Sequence, residues 1–163
     1  MRKKVSFGRI AMCLAVVAVI SACSGPRHKD RFKWDEILSS VIQAKEATGN
    51  PTFLDVRRVM PFGWDAFYVF PPGTAVDQVK RSLGFDWGKA KDTGIDKRDD
   101  ITLLVFVAGQ TVQEHIEQPL SKGDFSRLKA AHPYTPDEAY FELVTEMEAG
   151  APRHFFMDAP RPR

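Results

Sequence analysis

No cysteine follows residue 23. The chain has two, Cys13 and Cys23, so a domain built from the remainder has no disulfide, no thiolate zinc site and no cysteine nucleophile. Long apolar runs are also missing. A membrane-spanning helix needs about 20 apolar residues, and the longest run, Ile10 to Ile20, has 11. Neither sign of charge dominates. Setting Arg2, Lys3, Lys4 and Arg9 aside with the N-terminal stretch leaves 19 of the 23 basic residues against 21 acidic ones. That balance gives no support to a nucleic-acid partner. The chain contains no Gly-x-Gly-x-x-Gly, Walker A, Gly-x-Ser-x-Gly or His-Glu-x-x-His motif, so it offers no recognisable nucleotide, hydrolase or metalloprotease site.

The N-terminal stretch has three parts: basic Arg2, Lys3 and Lys4, then the apolar run, then small residues ahead of Cys23. This is the layout of a secretory signal. Ile20, Ser21, Ala22 and Cys23 resemble a bacterial lipobox, in which the cysteine is lipidated on sulfur and the signal is cut off in front of it. The resemblance implies a signal peptide over 1–22, a lipidated tether over 23–31 and a mature chain beginning at Cys23. It also implies the cell envelope and, if the cell has two membranes, Ser24 after the cysteine resembles the sorting signal for the outer membrane, facing the periplasm. Arg27, Lys29, Arg31 and Lys33 then form a basic cluster that either rests on anionic head groups or is a solvated tether.

Beyond the tether, residues 32–158 have the length of a single domain, and the pattern predicts an α+β fold. A first helix is expected from Lys33 to Thr48, with Trp34, Ile37, Leu38 and Val41 at helical spacing and Gly49 and Pro51 at its end. A short strand follows over Phe53 to Val56, with Arg57 and Arg58 exposed after it. Trp64 to Phe70 reads as a central strand buried on both faces. Gly73 to Gly84 reads as a short helix capped by Gly73 or Thr74, and Lys89 to Asp100 as a solvated polar loop whose acidic spacing does not fit calcium. Ile101 to Val107 is a second buried strand, joined through Gly109 and Gln110 to a return strand in a II′ hairpin. That turn pairs Val107 with Val112, Val105 with Glu114 and Leu103 with Ile116, and the conflict at Glu114 means either that it lies at a solvated margin or that the register is off by one.

Ser121 to Ala131 is expected to hold an amphipathic turn around Phe125 and Leu128. Thr135, Pro136, Asp137 and Glu138 make a capping box. From there, residues 139–157 fit either a helix through Tyr140, Leu143, Val144 and Met147 or a strand hairpin turning at Gly150, and both remain open. The end, 159–163, is expected to be a disordered tail. Two helices packed on a mostly antiparallel sheet of three to five strands result.

His115 stands out among the titratable residues, with Glu114 and Glu117 close in sequence, the local look of a base oriented by a carboxylate. A hydrolase would also need a hydroxyl such as Ser121 or Ser126 brought to it. His28, His132 and His154 are scattered and form no metal set. No catalytic residue, metal or cofactor is expected, and Trp64, Tyr68, Trp87 and His115 form the candidate binding surface.

Gly73, Gln78, Val79, Leu83 and Gly84 stand at the spacing of a helix in the SmpA/OmlA-type outer-membrane assembly lipoproteins, and that resemblance implies a helper of barrel assembly. Trp64, Asp65, Tyr68, Val69, Phe70 and Pro72, with Leu83, Gly84, Leu104, Val105 and Phe106, resemble a group of small bacterial lipoproteins of uncharacterised activity. The expected function is that of a membrane-anchored envelope lipoprotein that binds a partner protein. The alternatives are an accessory envelope hydrolase using His115 with Glu114 or Glu117, and the barrel-assembly helper.

Overall fold

The computed structural model describes residues 33–162; the lipobox and the tether to Phe32 lie outside the described residues. The fold is α+β. Helix α1 spans Trp34–Thr48, α2 is a single turn at Val56–Val59 and α3 spans Val76–Leu83. The strands are β1 Thr52–Asp55, β2 Ala66–Phe70, β3 Ile101–Ala108, β4 Thr111–Pro119, β5 Tyr140–Glu148 and β6 Ala151–Asp158. They form two three-stranded sheets, ordered β1-β5-β6 and β2-β3-β4, in which every pairing is antiparallel.

The sheet β2-β3-β4 is the middle layer. From Ile101 to Val107, β3 is buried at every residue, because its two faces serve two cores. Leu104 and Phe106 face α1 and the other sheet, where Phe67, Trp34, Phe125, Phe141 and Phe156 meet. Leu103, Val105 and Val107 face α3 and the segment after it, with Tyr68, Phe70, Val79 and Trp87. A strand buried on both faces has no polar side to present, which is why this stretch reads as continuous apolar residues. The central strand is therefore β3. The expected central position of Trp64 to Phe70 is corrected: β2 is buried on both faces but lies at the sheet margin. Its outer edge is covered instead by a loop, since Phe67 and Tyr134 exchange main-chain hydrogen bonds of 2.8 and 2.9 Å and Ala131 N–H donates to Val69 O.

Helix α1 buries Trp34 and Leu38 and ends at Gly49 with φ of 67°, the left-handed conformation that glycine accepts at this position. Its first turn is fastened to β4 inside the core: the Trp34 indole N–H donates to Gln118 Oε1 at 2.6 Å, while the Gln118 amide donates to the carbonyls of Pro119 and Lys122. Helix α3 has its N-cap at Ala75, one residue after Thr74 and two after Gly73, and Ala75 makes no side-chain cap hydrogen bond. Thr74 turns its hydroxyl back to the Pro71 carbonyl instead. The expected polar loop is also more ordered than its charges suggest. Gly88–Thr93 winds as a 3₁₀ helix, and Ala90, Thr93 and Ile95 are buried against the second core.

The β3–β4 hairpin turns at Gly109, φ 58°, and Asp65 Oδ2 accepts the Gly109 N–H at 2.7 Å. Val107 pairs with Val112, but a bulge follows, and from there Phe106 pairs with Glu114, Val105 with His115 and Leu104 with Ile116. Gln113 is the extra residue, so the uninterrupted register is off by one beyond it.

Half of the capping box forms: Glu138 Oε2 accepts both the Thr135 N–H and its hydroxyl, but the Glu138 N–H donates to the Thr135 carbonyl rather than to that hydroxyl, and no helix continues from it. Residues 139–157 take the hairpin: Leu143 pairs with Thr52 on one side and Phe156 on the other. Ala149 and Gly150 at the turn both have positive φ, as a type I′ turn requires. The tail expectation is corrected at Arg161, whose guanidinium pairs with Asp55, donates to Pro136 O and lies over the Tyr140 ring.

At Gly123, φ 111°, an added Cβ would stand 2.9 Å from Phe156 Cε2. Phe156 is fully buried and stacked on Phe125 at 4.3 Å, so it has nowhere to move. Gly123→Ala is expected to cost about 2–4 kcal/mol from backbone strain and overpacking, read as a lower urea midpoint at unchanged slope. A loss below about 0.5 kcal/mol, as for an ordinary surface substitution, would contradict this packing.

Candidate functional site

Three of the four residues of the expected binding surface belong to the interior. Trp64, 8 % exposed, sits edge-on to Phe67 and Phe106 in the core under α1. Tyr68, 9 % exposed, points the other way from the same edge of the sheet and lies parallel to Phe70 at 6.0 Å. Trp87 is in that second core as well. The correction has a simple cause: apolar aromatic area is buried wherever a sheet face is available to it.

His115 remains partly exposed, with 32 % of its side chain accessible. The bulge places it on the α3 side of the sheet, where its ring meets the edge of Trp87 at 5.2 Å. Glu114, turned to the opposite face by strand alternation, reaches round so that its Oε1 accepts the His115 main-chain N–H at 3.0 Å and stands 3.9 Å from Nδ1. Glu117 is engaged elsewhere, accepting from Arg98 at 2.7 Å. The hydroxyls considered for a hydrolase are not on this strand: Ser121 lies in the turn after β4, and the Ser126 main chain is tied to Asp124. Neither serine lines the two grooves that border His115.

Two grooves flank β4 at this point. One, of about 500 Å³, lies between the start of α1 and residues Glu114 to Glu117. The other, of about 480 Å³, lies between Phe85 to Lys89 and residues Gln110 to His115. His115 is a wall of both, and the Trp87 edge reaches the second.

A second histidine constellation escaped the sequence. His154 on β6, its side chain 10 % exposed, is hydrogen-bonded through Nδ1 to Thr145 of β5 at 3.0 Å and through Nε2 to Glu46 of α1 at 3.2 Å. Only the pairing of β5 with β6 and the docking of α1 bring these three together, so no local spacing announces them. Both ring nitrogens are occupied by the protein, which makes this a fastening of α1 to the sheet. Among the described residues, no group of three or more histidine, cysteine or carboxylate side chains could hold a metal ion, and no helix is long and apolar enough to cross a membrane.

The buried charges are paired. Asp124, 3 % exposed, accepts from Arg153 at 3.0 Å and from Ser126 N–H at 2.7 Å. Arg153 and Arg127 both lie over the Phe155 ring, and Arg127 is bidentate to Glu146. Burial pushes the Tyr134 phenol far above its ordinary range. For Asp55, burial works to raise the carboxyl, but the hydrogen bonds and charge of Arg161, with a smaller contribution from Arg58, outweigh it and hold the group below its usual value of 3.8.

No protein-family model, curated protein or solved structure matches the chain.

A carboxyl held low in the folded state stabilises the protein above its unfolded pKa, and that stabilisation disappears as pH falls through the folded value. Arg161→Ala is therefore expected to lower stability by about 1 kcal/mol at pH 7 and by a vanishing amount once Asp55 is protonated in both states. Urea unfolding of the two proteins from pH 7 down to pH 2 reads this; a difference independent of pH would mean that the tail holds by packing alone.

Proposed function

We propose that the chain is a lipid-anchored protein of the bacterial cell envelope, held by Cys23, whose folded part works by binding an envelope protein. The observation that carries this reading is Ile20-Ser21-Ala22-Cys23 at the end of a basic and then apolar leader. Acyl chains contribute about 0.8 kcal/mol per buried CH₂, and more than one chain makes attachment stable. Helix α1 begins at Trp34, so the tether is short. At no more than about 3.6 Å per residue, it keeps the domain within about 40 Å of the bilayer. Such a protein acts on what lies at the membrane surface.

Binding is favoured over catalysis by the setting of His115. Its ring is engaged with Trp87 and its main chain with Glu114, and β4 instead offers a strand edge between two grooves. A helper of barrel assembly is a narrower form of the same reading, resting on the resemblance of Gly73 to Gly84.

The test is a cross-linked pull-down from intact envelopes with wild type and Cys23→Ser in parallel. The reading predicts that a defined envelope complex is recovered with the wild type and lost with Cys23→Ser; recovery of a barrel-assembly component would favour the narrower form. Equal recovery with both forms would remove the role of the anchor, and recovery with neither would remove the protein partner.

A further inference from the structure

The β5–β6 hairpin runs on past the strand beside it. Every residue from Thr145 to Pro152 is exposed, and Met147 stands 70 % exposed. In an antiparallel pair, opposite residues either exchange both main-chain hydrogen bonds or exchange none. On β6, His154 O accepts from Asp124 N–H and Phe156 N–H donates to Asp124 O, so both residues turn away from β5. Pro152, in phase with them, has no N–H to give. Their partners on β5 are Leu143 for Phe156, Thr145 for His154 and Met147 for Pro152, and these therefore turn away from β6. Leu143 finds Thr52, the first residue of β1. Thr145 and Met147 lie beyond that start. Among the described residues, none hydrogen-bonds to the main-chain N–H or C=O of either.

The side chains along this open edge select its occupant. Thr145 and Met147 share one face, and Glu146 and Glu148 share the other. A second copy that used both open residues in an antiparallel pairing would set Thr145 against Met147 and Glu146 against its own counterpart. Like charges directly opposite are destabilising, so the edge is built against self-pairing. Opposite Glu146 the favoured side chain is cationic, and beside Met147 it is apolar. Arg127 and Arg153 already pair with Glu146 and Glu148, yet these carboxylates stay 48 % and 55 % exposed, which leaves room for a further cation.

We propose that the β5 edge at Thr145 and Met147 takes an extended segment of the envelope protein partner as an added strand, one that alternates apolar, basic, apolar. Strand addition draws affinity from the main chain and register from alternate side chains. Here the N–H and C=O of both residues supply the first, and Met147 with Glu146 the second. This names the surface used by the partner in the reading above and rests on that reading.

The experiment uses the full mature protein in neutral detergent micelles, a pentapeptide of alternating valine and lysine as the probe, and amide hydrogen exchange as the readout. With the peptide about nine-tenths bound, exchange at Thr145 and Met147 is expected to slow about ten-fold, since about one molecule in ten stays open. Exchange along β4 should not change. Met147→Pro removes an N–H that the fold does not use, at an edge position where proline is tolerated, and should abolish the slowing at Thr145 while β3 exchanges as in wild type. Glu146→Lys should transfer the preference to a pentapeptide of alternating valine and glutamate. No slowing at either amide, slowing along β4 instead, or slowing unaffected by both variants would overturn the proposal. The titration needs only purified protein, so its failure is distinct from loss of the complex in the envelope pull-down, which bears on the protein-partner reading itself.

Discussion

Strand β3 has no face toward water, and the rest of the molecule answers to that. Its two apolar sides require two covers, and the chain supplies them from different places: α1 with the β1-β5-β6 sheet on one side, and α3 with the 3₁₀ segment on the other. The bulge at Gln113 reconciles this demand with the hairpin. The tight turn at Gly109 sets Val107 opposite Val112, and if that register continued, Ile116 would face the α3 side and His115 the core under α1. One extra residue exchanges the faces. Ile116 then joins the core beside Leu104, Gln118 reaches the indole of Trp34, and His115 and Glu117 move to the side where water and Arg98 meet them.

Much of this was legible in the residues. Helical spacing from Trp34 to Val41, the glycines at 49 and 84, and the apolar run of β3 each carry local information, and each element stands where that information put it. The bulge left one trace, the awkward placing of Glu114 opposite Val105. What was not legible depends on distant partners. A capping box at Thr135 is a sound local start for a helix, and its glutamate half forms, yet β1 and β6 capture the chain after Ala139 because Phe141 and Leu143 gain more by burial in the core. Arg161 is ordered by Asp55, more than a hundred residues away in sequence.

The candidate site was less legible than the fold. Trp64, Tyr68 and Trp87 are residue types that serve cores more often than binding surfaces, and the coordinates place all three in the interior. His115 was found because it is titratable and flanked by carboxylates. Its neighbourhood, an open strand edge between two grooves, follows from sheet order and could not be read from spacing. His154 was passed over because its partners, Thr145 and Glu46, come from two other elements.

The account as a whole turns on where the mature chain begins and what it carries there. Intact-mass spectrometry of the protein extracted from its membrane measures both at once. The account predicts a chain starting at Cys23, heavier than the polypeptide by the mass of its acyl groups. A chain starting elsewhere, or one starting at Cys23 with an unmodified thiol, would contradict it.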